Sequence, residues 1–270
     1  MRELRMKLGF IGVGKMGSAL LEGVLNAKVC TSGEVVVHDA FEPAATAISK
    51  KLGVTAVSSC AEVFELAETV VICVKPQDVQ ASLKGAANVK TGRLVVSIAA
   101  GIGLRDLETW AAKPQRVVRV MPNTPALIGK GASGFALGSN ATESDATTVQ
   151  TLLESVGIAV SVKESQLDAV TGLSGSGPAY VFTIIEALAD GGVLEGLPKP
   201  LALQLAAQTL AGAAELALQS GEHPAVLRDN VTSPGGTTIA GLAELEKNGI
   251  RSALIEAVRE ATRRSRELGK

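Results

Sequence analysis

Two kinds of hydrophobic pattern alternate along the first half of the chain. Continuous apolar, β-branched runs fall at 8–11, 34–38, 69–74, 94–98 and 116–120, and residues 55–57 add a briefer one. Between them, at 16–26, 43–52 and 79–89, apolar residues recur every three or four positions. The first pattern predicts strands covered on both faces and the second predicts amphipathic helices. Strands joined by helical crossovers run parallel, so the expected architecture is an α/β, doubly wound parallel sheet. Residues 133–137 and 158–162 read as further strands of the same sheet, flanking a helix at 143–156. Beyond Lys163 the strand signals end, and helical patterns follow at 177–194, 200–220, 237–247 and 250–268. That shift predicts an N-terminal α/β domain over 1–163 and an all-α helical domain over 164–270.

The segment 200–218 is mostly alanine and leucine, with Glu215 its sole charge. A helix apolar nearly all round must be buried. A helical domain of this size offers limited interior, so the pattern predicts a homo-oligomer whose interface is made by the second domain. Burial of the helix inside its own subunit is the alternative.

Composition narrows the function classes. Of 270 residues 46% are hydrophobic and 20% charged, enough for a sizeable core and unlike a disordered scaffold. Twenty-six basic and 27 acidic side chains leave a net charge of −1, and only 3% of residues are aromatic, so nucleic-acid binding is not expected. Arg259, Arg263, Arg264 and Arg266 alternate with Glu256, Glu260 and Glu267, which reads as a solvated helix face. Cys30, Cys60 and Cys73 are scattered and odd in number, which suits a reducing cytoplasm better than a disulfide framework or a zinc site. His38 and His223 lie too far apart in sequence for a histidine cluster, and no metal site is assigned. The N-terminal residues lack the h-region of a signal peptide. Residues 169–185 carry Gly172, Gly175, Gly177 and Pro178, so no membrane segment is expected.

Directly after the first strand stands Gly12-Val13-Gly14-Lys15-Met16-Gly17, opening the first helix. In a Rossmann-like dinucleotide site the first glycine permits the tight turn, the second lets backbone approach a pyrophosphate, and the third brings helix and strand together. Gly12, Gly14, Lys15, Met16 and Gly17 are therefore candidate cofactor contacts. Asp39 ends the second strand, where an acid accepts hydrogen bonds from the adenosine ribose; starting a turn is its other reading. Later strand ends bring Lys75, which could face a cofactor phosphate or hydroxyl or stand as a solvated loop lysine. They also bring Ala99 and Ala100, small enough to admit a nicotinamide ring, although turn chemistry explains the neighbouring Gly101 as well. Asn123 could hydrogen-bond near that ring or tie down its proline-flanked loop.

In the second domain, residues 232–238 read TSPGGTT immediately before an apolar-periodic helix. Successive N–H groups from Gly235 to Thr238, with the hydroxyls of Ser233, Thr237 and Thr238, can form an anion site for a small carboxylate. A helix cap built by Ser233 or Thr237 is the simpler alternative. The stretch 172–180, GLSGSGPAY, is either a ligand contact or a tight interhelical junction. No serine or cysteine nucleophile is paired with a histidine base. The chemistry expected is one that needs little acid–base help, such as reduction of a C=N bond whose nitrogen arrives protonated.

Taken together these stretches resemble the Δ1-pyrroline-5-carboxylate reductases. The matching text is GFIGVGKMG at 9–17, VKP at 74–76, SIAAGI at 97–102, RVMPNTP at 119–125, TGLSGSGPAY at 171–180, EALADGG at 186–192 and DNVTSPGGTTIAGLAELE at 229–246. The resemblance implies a reductase of a small cyclic imino acid, with a nicotinamide-binding domain and a helical dimerisation domain, assembled as a dimer or a ring of dimers. It implies that the loop Ser233, Gly235, Gly236, Thr237 and Thr238 holds the substrate carboxylate, and that the Thr238 hydroxyl contacts the ring nitrogen. Ala99, Ala100 and Asn123 would border the nicotinamide. Family members differ in using NADPH or NADH, and Asp39 leaves that choice open. A β-hydroxyacid dehydrogenase would need a lysine near 172–180, and that stretch has none. A nucleotide-sensing protein without turnover is the other alternative.

Overall fold

In the computed structural model, which describes residues 8–269, nearly every strand of the N-terminal half leads into a helix that recrosses the sheet. The reading of residues 1–7 lies outside the described residues. β1 (Leu8–Ile11) leads into α1 (Lys15–Asn26), β2 (Val35–His38) into α2 (Glu42–Leu52), and β3 (Thr55–Ala56) into α3 (Cys60–Leu66). β4 (Thr69–Ile72) leads into α4 (Val79–Leu83) and β5 (Leu94–Ser97) into α5 (Leu104–Ala111). β6 (Arg116–Met121) and β7 (Gly131–Leu137) follow, and α6 (Glu143–Glu154) then leads to β8 (Gly157–Ser161). Next, α7 (Leu167–Val170) passes into a π-helical turn at Thr171–Gly175.

The strands form one sheet in the order β3-β2-β1-β4-β5-β6-β7-β8. Pairing is parallel from β3 to β6, and β7 runs antiparallel to β6 with Val118 opposite Leu137. The sheet is therefore the expected doubly wound, mainly parallel one, with a single antiparallel pair that the apolar pattern does not announce. Residues 122–130 are too few for a crossover, which needs a dozen or more residues, so β7 turns back beside β6. β8 then pairs parallel with β7.

Successive residues of one strand feed opposite cores. Phe10 points into the cluster that holds Leu20, Leu21 and Phe135, whereas Ile11 points into the one that holds Phe64, Leu83 and Leu107. Val71 and Val118 belong to the first core, and Val70, Ile72 and Val117 to the second. The period-2 alternation of a strand therefore fills both faces of the sheet, the condition under which parallel strands are stable.

The helix expected over 79–89 stops at Leu83 and tightens to 3₁₀ geometry over Lys84–Asn88. Gly85 lies so close to α3 that an added Cβ would sit 2.8 Å from Ala61 Cα. Helices α3 and α5, of 7 and 8 residues, were not anticipated, because two turns carry little periodicity.

The chain divides into two compact units, one reaching Ser176 and including the stretch from Glu260 onward, the other Gly177–Arg259. The composition shift at Lys163 lies ahead of this division, separated from it by α7 and the π turn. The second unit contains α8 (Gly177–Leu194), α9 (Lys199–Ser220), α10 (Pro224–Asn230), α11 (Thr237–Lys247) and the start of α12 (Ile250–Leu268). Its buried hydrophobic cluster is small: Ala189 against Ala202 and Ala206, with Ile185 beside them. Leu201, Leu203, Leu205, Leu216 and Leu218 of α9 remain exposed. By length and composition α9 could cross a membrane, and it is mostly unburied within this chain.

Candidate functional site

The three glycines after β1 meet three different environments. Gly12 has φ +92, and an added Cβ would lie 2.8 Å from the Cys73 carbonyl. At Gly17 a Cβ would collide with the Gly12 carbonyl oxygen, so α1 starts in direct contact with the turn. A Cβ added to Gly14 would meet nothing within 4 Å, and Gly14 is the N-cap of α1, with no side chain capping it. Turn and helix start are thus closed toward the protein at Gly12 and Gly17 and open at Gly14. An N-terminus of this shape offers free N–H groups and the positive end of the helix dipole to a phosphate.

The turn is braced from several sides. Gly12 N–H donates to the His38 carbonyl at 2.8 Å, and Ser18 Oγ donates to the Val13 carbonyl at 2.7 Å. Val13 N–H donates to Asp39 Oδ2 at 2.8 Å, and Asp39 Oδ1 accepts from Phe41 N–H at 2.9 Å. Asp39 therefore starts the turn before α2 and also ties the glycine loop to the end of β2. Each carboxylate oxygen keeps a further lone pair for a ribose hydroxyl. Cys73 lies against the turn, and burial pushes its thiol up, so it stays a neutral packing group. Lys15 and the half-buried Met16 open α1, and Lys75 is exposed after β4.

At the end of β5, Ala99 is buried, Ala100 is exposed, and Gly101 takes φ +76. Asn123, after β6, is 9% exposed. Its Nδ2 donates to the Ser174 carbonyl at 3.0 Å, and its Oδ1 accepts from Ala132 N–H at 2.9 Å. The side chain thus pins its loop to β7 and to the π turn, with one N–H and one lone pair left over. The stretch 172–180 is the junction between α7 and α8: Ser176 N–H donates to the Thr171 carbonyl at 2.8 Å, and Gly175 packs on Met121.

Loop 233–238 belongs to the second unit. Gly235 takes φ +69, Gly236 N–H donates to the Ser233 carbonyl at 3.1 Å, and Gly236 is the N-cap of α11. No side chain caps this helix, so neither Ser233 nor Thr237 acts as the cap. The N–H groups of the first turn are left to a ligand or to water. Thr238 lies half-buried in that first turn. The bond that fixes the loop's approach is Thr232 Oγ1 to the Arg228 carbonyl, at 2.6 Å.

Sequence reasoning missed a cavity of about 440 Å³ in the first unit, beside the ends of β4 and β5. Pro76, Ala100 and Gly101 line one side, and Arg264, Ser265 and Leu268 of α12 line another. The alternating charges marked α12 only as solvated, and Arg263 and Arg264 do pair with Glu260 and Glu267. The signal overlooked was the polar pair Thr262 and Ser265, three residues apart and both buried.

Residues 164–268 match the family model for pyrroline-5-carboxylate reductase dimerisation, and residues 7–101 match that for NADP oxidoreductase, coenzyme F420-dependent. The pyrroline-5-carboxylate reductase of Methanosarcina acetivorans is 48% identical, over 98% of each chain. That of Pisum sativum is 49% identical, over 97% of this chain and 95% of its own. The solved structure of the Coxiella burnetii enzyme superposes with a TM-score of 0.93 at 32% identity, covering 98% of this chain and 99% of its own. Agreement of this extent, at nearly half of all positions and across both units, shows that the chain belongs to the pyrroline-5-carboxylate reductase family.

Proposed function

We propose that this protein reduces 1-pyrroline-5-carboxylate to L-proline with NAD(P)H, the final step of proline biosynthesis. The observation that carries the reading is the pair of uncapped helix N-termini, one behind the glycine turn and one behind loop 233–238. The first suits a dinucleotide and the second a small carboxylate. Bound there, NAD(P)H would supply the hydride that reduces the C=N carbon of an imine arriving protonated on nitrogen, which leaves the secondary amine of proline. The chain's own task is to bind and orient. Gly12, Gly14, Lys15, Met16 and Gly17 receive the pyrophosphate, and Lys75, Ala99, Ala100 and Asn123 border the nicotinamide riboside. Ser233, Gly235, Gly236 and Thr237 hold the carboxylate, and the Thr238 hydroxyl meets the ring nitrogen.

Purified protein mixed with 1-pyrroline-5-carboxylate is expected to oxidise NAD(P)H and to yield L-proline, followed at the nicotinamide absorbance and by amino-acid analysis. Turnover of 3-hydroxy acids without imine reduction would overturn the assignment.

Asp39 bears on the choice of cofactor. A carboxylate suits the free 2′-hydroxyl of NADH and repels the 2′-phosphate of NADPH, and no lysine or arginine lies between His38 and Ser49 to offset it. NADH is expected to serve at least as well as NADPH, and Asp39→Ser to shift the ratio of kcat/KM toward NADPH. The related Plasmodium falciparum pyrroline carboxylate reductase, 34% identical, was solved with NADP bound, so the measurement is a sharp one. A preference for NADPH that survives the substitution unchanged would leave Asp39 only as a brace for the N–H groups of Val13 and Phe41.

The chain self-associates through its helical domain, as a dimer or a ring of dimers, and the leucines of α9 lie in the covered surface. Leu205 is 50% exposed within the chain, so a charge there costs an isolated subunit little. At a buried interface the same charge is uncompensated. Leu205→Glu is therefore expected to lower the mass measured by light scattering while the α/β unit stays folded. A wild type that is monomeric at micromolar concentration would refute the interface. The three free cysteines fit a cytoplasmic enzyme.

A further inference from the structure

The last turns of α12 belong to the first unit, although the helix begins in the second. They are held there by specific contacts. Ser265, 7% exposed, donates its hydroxyl to Asp168 Oδ1 on α7 at 2.7 Å. One turn further on, Leu268 abuts Gly101: a Cβ added to Gly101 would lie 3.6 Å from the Leu268 carbonyl oxygen and 3.8 Å from its Cβ. A Cβ added to Gly269 would lie 3.6 Å from the Gly101 carbonyl oxygen, so the end of α12 and the loop lie side by side with room for little more than a methyl between them. The cavity of about 440 Å³ opens between this helix end and the loops after β4 and β5. In a doubly wound sheet whose phosphate turn follows β1, the far half of a dinucleotide reaches those same loops. The volume falls in the range of small-molecule pockets, and apart from Arg264 the lining has no charged side chain, as a neutral flat ring requires.

We propose that the end of α12 forms a wall of the nicotinamide pocket, and that Ser265 and Asp168 are positioning residues which set that wall through Leu268 and Gly101. The proposal rests on the reductase reading above. It assigns a role to a helix end whose surface charges otherwise mark it as mere solvated exterior. The hydrogen bond fixes the rotation of the helix about its axis. Without it Leu268 and the Ala99–Gly101 loop can shift together, and the nicotinamide loses its stop while the adenosine half, held at β1 and β2, does not.

The test compares two ligands, NADH or NADPH, which carry the ring, and ADP-ribose or its 2′-phosphate, which lack it. Binding is measured by fluorescence titration to Ser265→Ala and Asp168→Ala, with Asp168→Asn, which keeps an acceptor oxygen, as the conservative variant. We expect the alanine variants to bind the dinucleotide about three- to tenfold more weakly and ADP-ribose as the wild type does. Asp168→Asn should recover most of the loss. Should Ser265→Ala not fold, Leu268→Gly, at an exposed position, removes the side chain against Gly101 and is expected to show the same selective loss. Parallel loss of both ligands, or no loss of either in folded variants, overturns the proposal. A wild type that binds ADP-ribose as tightly as NADH overturns the wall and leaves the reductase reading to the proline assay. A wild type that binds no dinucleotide overturns both.

Discussion

Gly14→Ala is expected to weaken cofactor binding about five- to a hundredfold without harming the fold. Nothing in the protein lies within 4 Å of the position a Cβ would take, so the substitution meets only the space in front of α1. Gly14 is the N-cap, where alanine is a poorer residue than glycine, and the stability change stays within about 1 kcal/mol. In the proposed cofactor site a bound pyrophosphate would approach that same backbone. A methyl inserted into a well-packed contact costs about 1–3 kcal/mol, or on the order of five- to a hundredfold in affinity. Gly12→Ala should behave in the opposite way. Its φ of +92 and the Cys73 carbonyl 2.8 Å away put the strain inside the protein, so the melting temperature should fall along with binding. Thermal melts paired with NAD(P)H titrations separate the two. Wild-type affinity in Gly14→Ala would show that the phosphates do not pass over this turn.

The glycine turn was legible because its requirements are local: a strand, a tight turn and a helix start each restrict the residue type at one position. The same holds for loop 233–238, where glycines and hydroxyls run together before a helix. Strand direction was not legible. An apolar run reports burial on two faces and carries no sign, so β7 read like its parallel neighbours, and only the short connection from β6 turns it round. Long-range polar bonds were equally hidden. Asp39 reaches back 26 positions to Val13, and Ser265 reaches 97 positions to Asp168, and no spacing rule anticipates either. Asn123 shows the same limit from the other side. Two candidate roles were visible in its type, and only the bonds to Ser174 and Ala132 show how much of its hydrogen-bonding capacity the loop already takes.

The second large effect is expected at Thr238. The residue lies in the first turn of α11 and does not cap it, so its hydroxyl is not needed to hold the helix. In the proposed site, beside the ring nitrogen, that hydroxyl would orient the C=N bond toward the hydride and stabilise charge as it changes on nitrogen. One hydrogen bond to a charged partner contributes roughly 1.5–3 kcal/mol, so Thr238→Ala should lower kcat/KM about ten- to a hundredfold. Cofactor affinity should stay at the wild-type value, since the glycine turn is untouched. Thr238→Ser keeps the hydroxyl and should retain most of the rate. If kcat falls and the KM for the imine does not rise, the bond matters in the transition state more than in the ground state. Unchanged kcat/KM in Thr238→Ala would remove the hydroxyl from the reaction and leave loop 233–238 as a carboxylate site alone.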